Sequence, residues 1–238
     1  MDPRGRESLT SPPVERAVVP SHGRSRRDLT HPLGPDTWTY PGDPPVAVEP
    51  HATLDADGFR LSSLSLGTHA GTHLDAPCHT EPDGASVDEM PVSTFAFDAV
   101  LARLDGDAGP REPIIVEALP PVPDDADCLV IDTGWAAHWG TRRYVDHPYL
   151  DADTAAYCAD RGLSVAVDAP SVDPSPSENS GDDEPSGHPA HHELLGAGRV
   201  IVENLTNLDG LPQRFELRAY PLPIVGGDGS PVRAVAEW

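Results

Sequence analysis

Lysine is absent from the 238 residues: all 16 basic side chains are arginine, against 39 aspartates and glutamates, for a net charge of −23. A chain this acidic repels nucleic-acid phosphates and anionic lipid, so neither nucleic acid nor a membrane surface is an expected partner. The acids run from Asp2 to Glu237 and form no tail. An acidic surface of this kind fits a salt-adapted protein, in which dissolved ions screen the self-repulsion within a few ångströms. An ordinary acidic protein from a GC-rich genome, which would favour arginine over lysine, is the alternative.

Cysteine is scarce too. Cys78, Cys128 and Cys158 are far apart and form no Cys-x-x-Cys pair, which argues against a thiolate zinc knuckle. Their odd number argues against a disulfide framework, leaving small thiols that suit a core. No run approaches about 18 apolar residues, so no membrane span is expected. The N-terminus lacks the apolar stretch of a secretory signal, and a cytoplasmic location is the expectation. The apolar share of 38% is enough for one core at this length.

Residues 1–26 read as a disordered tail, rich in Pro, Ser, Gly and Arg and without an apolar period. One domain is expected over residues 27–238. From Asp28 onward the chain reads as strands and turns: Leu61–Leu66 mixes apolar and small residues before Gly67, short aliphatic runs at Ile114–Val116, Leu129–Ile131, Val165–Val167 and Val200–Val202 predict buried strands, and Phe215–Ala219 and Val232–Ala236 are further strand candidates. Helix signals are fewer. Asp151–Arg161 has an acidic start, an alanine-rich middle and a stop at Gly162; Ser93–Leu104 predicts a second helix. Residues 174–187 form a polar, acidic loop without core-forming side chains.

His69, His73, Asp75 and His79 fall within one short segment after a predicted strand. Imidazole nitrogens and carboxylate oxygens that converge to about 2.0–2.2 Å of a point make a divalent-metal site. Gly71 and Pro77 oppose a regular helix here, and in an extended chain His73 and Asp75, two apart, face the same way. Gly67 and Gly71 allow the tight turn that returns His69 toward them. A His-x-x-x-His pair alone is weak evidence, but three histidines and an aspartate among Gly, Thr and Pro are poor core material. A second cluster, His188, His191, His192 and Glu193, precedes the strand that ends in Glu203. An acid closing a buried apolar run needs a partner or a cation, or else a solvated strand end. The two clusters could supply two halves of one site.

These motifs resemble the cyclase superfamily that includes bacterial kynurenine formamidase (arylformamidase) and isatin hydrolase. The resemblance runs from about Asp28 to Trp238. It rests on Asp28-Leu-Thr-His-Pro-Leu, Tyr40-Pro-Gly-Asp43, His69-x-Gly-Thr-His-x-Asp-x-Pro-x-His79, Asp132-Thr-Gly-Trp135, His147-Pro-Tyr-Leu150 and Asp168-Ala-Pro-Ser-Val-Asp-Pro174. It implies an α/β fold, a swivelling β/β/α domain with a mainly β core and few helices. It implies that His69, His73 and Asp75 hold a first metal, that Asp75 bridges to a second completed by His191 and Glu203, and that His79 is the catalytic acid/base. His191 is chosen over His192 by the family's twelve-residue separation from the glutamate. The ions implied are one or two Zn²⁺, or Mn²⁺. Formamidases often carry Trp before the Pro-Gly-Asp turn, against the aromatic substrate; here Tyr40 stands there, with Trp38 two residues earlier.

The expected activity is metal-dependent hydrolysis of an amide, either an N-formyl arylamide such as N-formylkynurenine, within tryptophan catabolism, or a cyclic amide such as isatin. Partners are a small-molecule substrate and further copies of the chain in a dimer or tetramer. Two other readings compete. The metal could only staple the fold, although structural zinc sites are usually closed by four ligands and often use Cys. Cys78 and His79 could form a metal-free nucleophile pair, although neighbours in an extended segment point to opposite faces.

Overall fold

The computed structural model describes residues 23–104 and 109–238. The strands are β1 (Arg26–Asp28), β2 (Ala47–Ala52), β3 (Leu61–Ser65), β4 (His73–Asp75), β5 (Ala96–Arg103), β6 (Pro113–Ile114), β7 (Cys128–Asp132), β8 (Tyr149–Leu150), β9 (Ser164–Val167), β10 (Ile201–Glu203), β11 (Arg214–Pro221) and β12 (Gly229–Glu237). The helices are α1 (Leu54–Asp57), α2 (Ala152–Asp160) and α3 (Pro189–Gly196), joined by several short 3₁₀ turns. The main sheet runs β1-β12-β11-β5-β7-β9-β10-β4, and β4 also pairs with β12. That second pairing closes the seven strands β12, β11, β5, β7, β9, β10 and β4 into a barrel with β1 on its flank; β2–β3 and β6–β8 are separate two-stranded sheets. Strands β5, β7, β9 and β10 are parallel neighbours, while β4, β11 and β12 close the ring with antiparallel pairs.

Strict alternation divides the core in two. Phe97, Ala99, Leu101, Cys128, Val130, Ala166, Val202, Leu217 and Ala234 form an inner cluster. Val100, Ala102, Leu129, Ile131, Val165 and Val167 point the other way and pack with Ala155, Cys158, Ala190, Leu194 and Leu195 from α2 and α3. With both faces covered, the strands read as continuous aliphatic runs rather than alternating ones. The helix expected over Ser93–Leu104 is a 3₁₀ turn at Val92–Phe95 followed by β5. Alanine and leucine favour helix locally, but burial on both faces between β7 and β11 outweighs propensity. The other predicted helix forms, with the Asp151 carboxylate accepting from the Thr154 amide at 2.8 Å. α3 was not foreseen, because its histidines read as a ligand cluster; Pro189 in its first turn is the helix signal that was there.

Of the tail expected over residues 1–26, residues 1–22 lie outside the described residues, while Arg26 already pairs with Glu237 in β1. The acidic segment at 174–187 is irregular and is tied down by Arg111. That guanidinium binds the Glu184 carboxylate, the carbonyls of Val145 (3.2 Å) and Ser175 (3.1 Å) and the Ser180 hydroxyl (3.1 Å). No helix among the described residues is long and apolar enough to cross a membrane.

His147 fastens the start of this loop from inside. Its Nδ1 donates to the Pro148 carbonyl (2.8 Å), and its Nε2 accepts from the Ser175 hydroxyl (2.7 Å). Burial disfavours the charged ring and pushes its pKa down to about 4. The unfolded ring titrates near 6.5, so this contribution is intact above about pH 6.5 and is lost as pH falls toward 4. Between pH 7 and pH 5 the loss for His147 should be about 2 kcal/mol. Urea melts of metal-stripped protein should show His147→Gln less stable at pH 7 but with a pH dependence flatter by about that amount. Equal slopes in the two proteins would remove His147 from the account.

Candidate metal centre and active site

Barrel closure builds the site. β4 is three residues long and hydrogen-bonded on both sides, opposite Ile201–Glu203 on one edge and Gly229–Pro231 on the other. His73 and Asp75 project from the same face of β4, and Glu203 stands across from His73. Gly71, at φ +66°, makes the turn before it; a Cβ there would also come within 2.8 Å of the Leu33 side chain. The turn carries His69 back so that its Nδ1 lies 2.7 Å from Asp75 Oδ1. The expectation for Gly71 holds; Gly67 needs no left-handed backbone.

The distant half arrives on α3 and β10. His191 Nε2 is 3.4 Å from Glu203 Oε1 and 3.8 Å from Asp75 Oδ2. His73 Nε2 is 3.2 Å from Asp75 Oδ1 and 3.4 Å from Glu203 Oε2. Of the four donor triads among the described residues, His69–His73–Asp75 and Asp75–His191–Glu203 share Asp75; the others are His69–His79–Asp228 and Asp173–His188–His191. His192 is on the outside of α3, half exposed and 2.7 Å from Glu81. All five residues expected as ligands therefore meet, and His191 rather than its neighbour faces the cavity. Asp75 Oδ2 is buried without a hydrogen-bond partner in the structure. An unsatisfied buried carboxylate oxygen between imidazoles is what a cation-binding donor set leaves when only protein atoms are counted.

Neighbours fix which nitrogen each imidazole turns inward. His73 Nδ1 donates to the Gly71 carbonyl (2.9 Å), which leaves Nε2 for the cavity. His191 Nδ1 is 2.7 Å from Asp173 Oδ2, and Asp173 also accepts the Ala190 and His191 amides at the start of α3, both at 2.9 Å. Asn204, left-handed at φ +60°, ties the floor together. Its amide donates to the Gly71 carbonyl (2.9 Å), its side-chain oxygen accepts from the Tyr144 hydroxyl (2.9 Å), and its carbonyl accepts from Thr72 (2.6 Å). Asp173 was visible in sequence only as part of a quoted motif, and Asn204 and Tyr144 carried no signal of their own.

Without a cation the cluster holds protons. Burial works against a charged His73, yet the Asp75 and Glu203 carboxylates outweigh it and raise its pKa well above the ordinary value. Burial likewise opposes charge on His69 and His191, but Asp75 raises the first and Asp173 and Glu203 raise the second, to about 10. Burial also opposes ionisation of Asp75, which the His73 and His69 charges nevertheless hold well below the carboxylate range. His79 differs: burial pushes it down, so it is neutral at neutral pH. A divalent cation would displace the protons of the cluster, since ligands bind metal only when deprotonated.

The donors line the base of a cavity of about 250 Å³, whose upper wall includes Trp38, Tyr40, Pro170 and His188. Trp38 meets Tyr40 edge-on at 6.4 Å and Tyr144 at 4.8 Å. Tyr40, expected from the sequence at the substrate side, lines this cavity, and Trp38, two positions earlier, lines it too. His79 lies on the rim, with its ring 4.1 Å from that of His69. Cys78, beside it, faces away and donates to the Gly227 carbonyl at 3.5 Å. A nearby carboxylate and burial raise the thiol pKa, burial foremost, so it is a poor nucleophile.

Gly229 leaves no room for a side chain. A Cβ there would stand 2.8 Å from His69 Cε1 and 2.8 Å from the Leu74 carbonyl oxygen. The carbonyl belongs to β4 and cannot yield, so the His69 ring would. Gly229→Ala is expected to cost about 1–3 kcal/mol of stability by overpacking and to weaken divalent-metal binding. Denaturant melts and a metal titration check both; unchanged metal affinity would show that His69 tolerates the shift.

The family pattern for "Putative cyclase" matches residues 27–174. A kynurenine formamidase of Salinibacter ruber is 35% identical over 217 residues, covering 87% of this chain and 95% of its own. One of Bacillus mycoides is 32% identical over 212 residues, with the same coverages. Among solved structures, isatin hydrolase A of Labrenzia aggregata superposes with a TM-score of 0.79 at 27% identity, covering 90% of this chain and 93% of its own. With a matching pattern over most of its body and relatives aligned nearly end to end, this chain belongs to the cyclase family of the formamidases and isatin hydrolases.

Proposed function

We propose that this protein is a metal-dependent amidohydrolase that cleaves an N-formyl arylamide, with N-formylkynurenine as the leading substrate. The single observation that carries the reading is the pair of donor triads sharing buried Asp75 at the base of an aromatic-lipped cavity. His69, His73 and Asp75 would hold one ion, and Asp75, His191 and Glu203 a second. Imidazole and carboxylate donors without thiolate suit Zn²⁺ and Mn²⁺ alike. A bound ion would supply an acidified water at neutral pH and a positive charge beside the scissile carbonyl. Trp38 and Tyr40 stack against the aryl group and set the amide over the base of the cavity. His79, neutral at rest, takes a proton from the attacking water and returns it to the leaving nitrogen, so that an amine rather than an amide anion departs. The formamidase relatives favour an open-chain formamide. The isatin hydrolase likeness keeps a strained lactam as a second reading, because ring opening needs the same water, charge and proton.

Metal-loaded protein should hydrolyse N-formylkynurenine faster than isatin, and chelation should abolish turnover. His73→Ala should lose metal and activity together, while His79→Ala should keep its metal and lose about 10²–10⁴-fold in kcat. Cys78→Ala should retain most activity. Preference for isatin would move the assignment to the lactam, and turnover of neither substrate would sink the amidohydrolase reading. Loss of turnover in Cys78→Ala with metal bound would revive a cysteine nucleophile.

A further inference from the structure

Asp228 is a carboxylate beside His69 and His79 that the proposed chemistry does not use. Its Oδ2 lies 3.1 Å from His69 Nε2 and 3.4 Å from His79 Nδ1, and its Oδ1 accepts from the Thr68 hydroxyl at 2.9 Å. The backbone around it is fixed to the motif segment: the Ala76 amide donates to the Asp228 carbonyl (2.9 Å), and the Val87 amide to the Gly227 carbonyl (2.9 Å). The next residue, Gly229, pairs with Asp75 in the sheet. Asp228 is thus set by barrel closure to face both rim histidines at once, with Thr68 fixing the rotation of its carboxylate.

We propose that Asp228 is the positioning residue of the proton-transferring His79, holding that ring with Nδ1–H toward the carboxylate and Nε2 toward the cavity. The inference rests on the amidohydrolase reading for the role of His79, but not for the contact itself. A neutral imidazole has one donor nitrogen and one acceptor nitrogen, and the partner of one decides the role of the other. With Nδ1–H given to Asp228, Nε2 keeps its lone pair for a proton from water. Once that proton arrives, the carboxylate stands beside the imidazolium until the leaving nitrogen takes it. The same oxygen meets His69 Nε2, which turns His69 Nδ1 toward Asp75. No bond to Asp228 forms or breaks, and its proton count does not change.

The test uses the full chain loaded with Zn²⁺. Asp228→Asn presents either an amide N–H or a neutral oxygen to Nδ1, and the amide would force the proton onto Nε2. The variant should keep its zinc content and lose roughly 10–100-fold on a formanilide, the scale for removing a group that orients a functional side chain. On p-nitrophenyl formate, whose leaving group needs no proton, the loss should be smaller, because only the proton taken from water is then affected. ¹⁵N NMR of the His79 ring should read Nδ1–H in the parent and lose that signature in the variant. Thr68→Val should show the same anilide-selective loss at smaller size, and decides the matter if Asp228→Asn does not fold. Equal losses on anilide and ester, or loss of zinc, would overturn the proposal, the latter making Asp228 a ligand. If the parent cleaves neither substrate, the amidohydrolase reading fails. The ring tautomer then still tests the Asp228 contact, and a His79 signature indifferent to Asp228→Asn or Thr68→Val overturns it.

Discussion

A buried carboxylate at the seam of the barrel governs the rest of this structure. Asp75 is 1% exposed, and it sits on the strand whose two edges close the ring. An ionised carboxylate taken out of water costs several kcal/mol unless positive charge surrounds it. Three imidazoles do so here, from the turn before β4, from β4 itself and from α3. Folding and site assembly are therefore one event: the pairing that completes the barrel also brings the donors together. A strand of three residues could not fix a carboxylate alone; hydrogen bonding on both edges removes its freedom.

Around that centre the chain spends its polar groups on orientation. The Gly71 carbonyl, Asp173 and Asp228 each face the outer nitrogen of one histidine or more. Glu203 also accepts from the Val172 amide at 3.2 Å, so its carboxylate is fixed from the side opposite His73. The aromatic lip is built in the same manner. Trp38 leans on Tyr144 and Trp139, and Tyr144 is hydrogen-bonded to Asn204, which in turn holds the turn at Gly71. A substrate ring resting on Trp38 would press on the scaffold that sets His73. The acidic surface stands apart from this. Its visible ion pairs, such as Arg214 with Asp98 and Asp125, lie in solvent, where pairs contribute little, and the Arg111 anchor of the acidic loop is the buried exception.

Much of this was readable in the residues themselves. His73 and Asp75 share a face because a strand repeats every two residues, and Gly71 turns because its backbone can adopt a positive φ. Asp151 caps α2 by its own side chain, and the runs at Leu129–Ile131, Val165–Val167 and Val200–Val202 became strands because no other element buries both faces of so short a segment, whereas Leu61–Ser65 is an exposed strand and Val116 begins a 3₁₀ turn. Ala96–Arg103 is a strand although its alanines and Leu101 locally favour helix, a preference that only the neighbouring strands overrule. Tertiary structure alone decided the rest. His191 and His192 are equivalent in sequence until the rotation of α3 turns one into the cavity and the other to Glu81. Trp38 became part of the lip through packing on Tyr144 rather than through its spacing from Tyr40. Asp228 lies 159 residues from His69 in a glycine-rich turn that announces nothing but a turn, and the β12–β4 pairing places it against two histidines. Local spacing fixes which side chains share a face; which faces meet is set by how the sheet closes, because that depends on burial summed over the whole core.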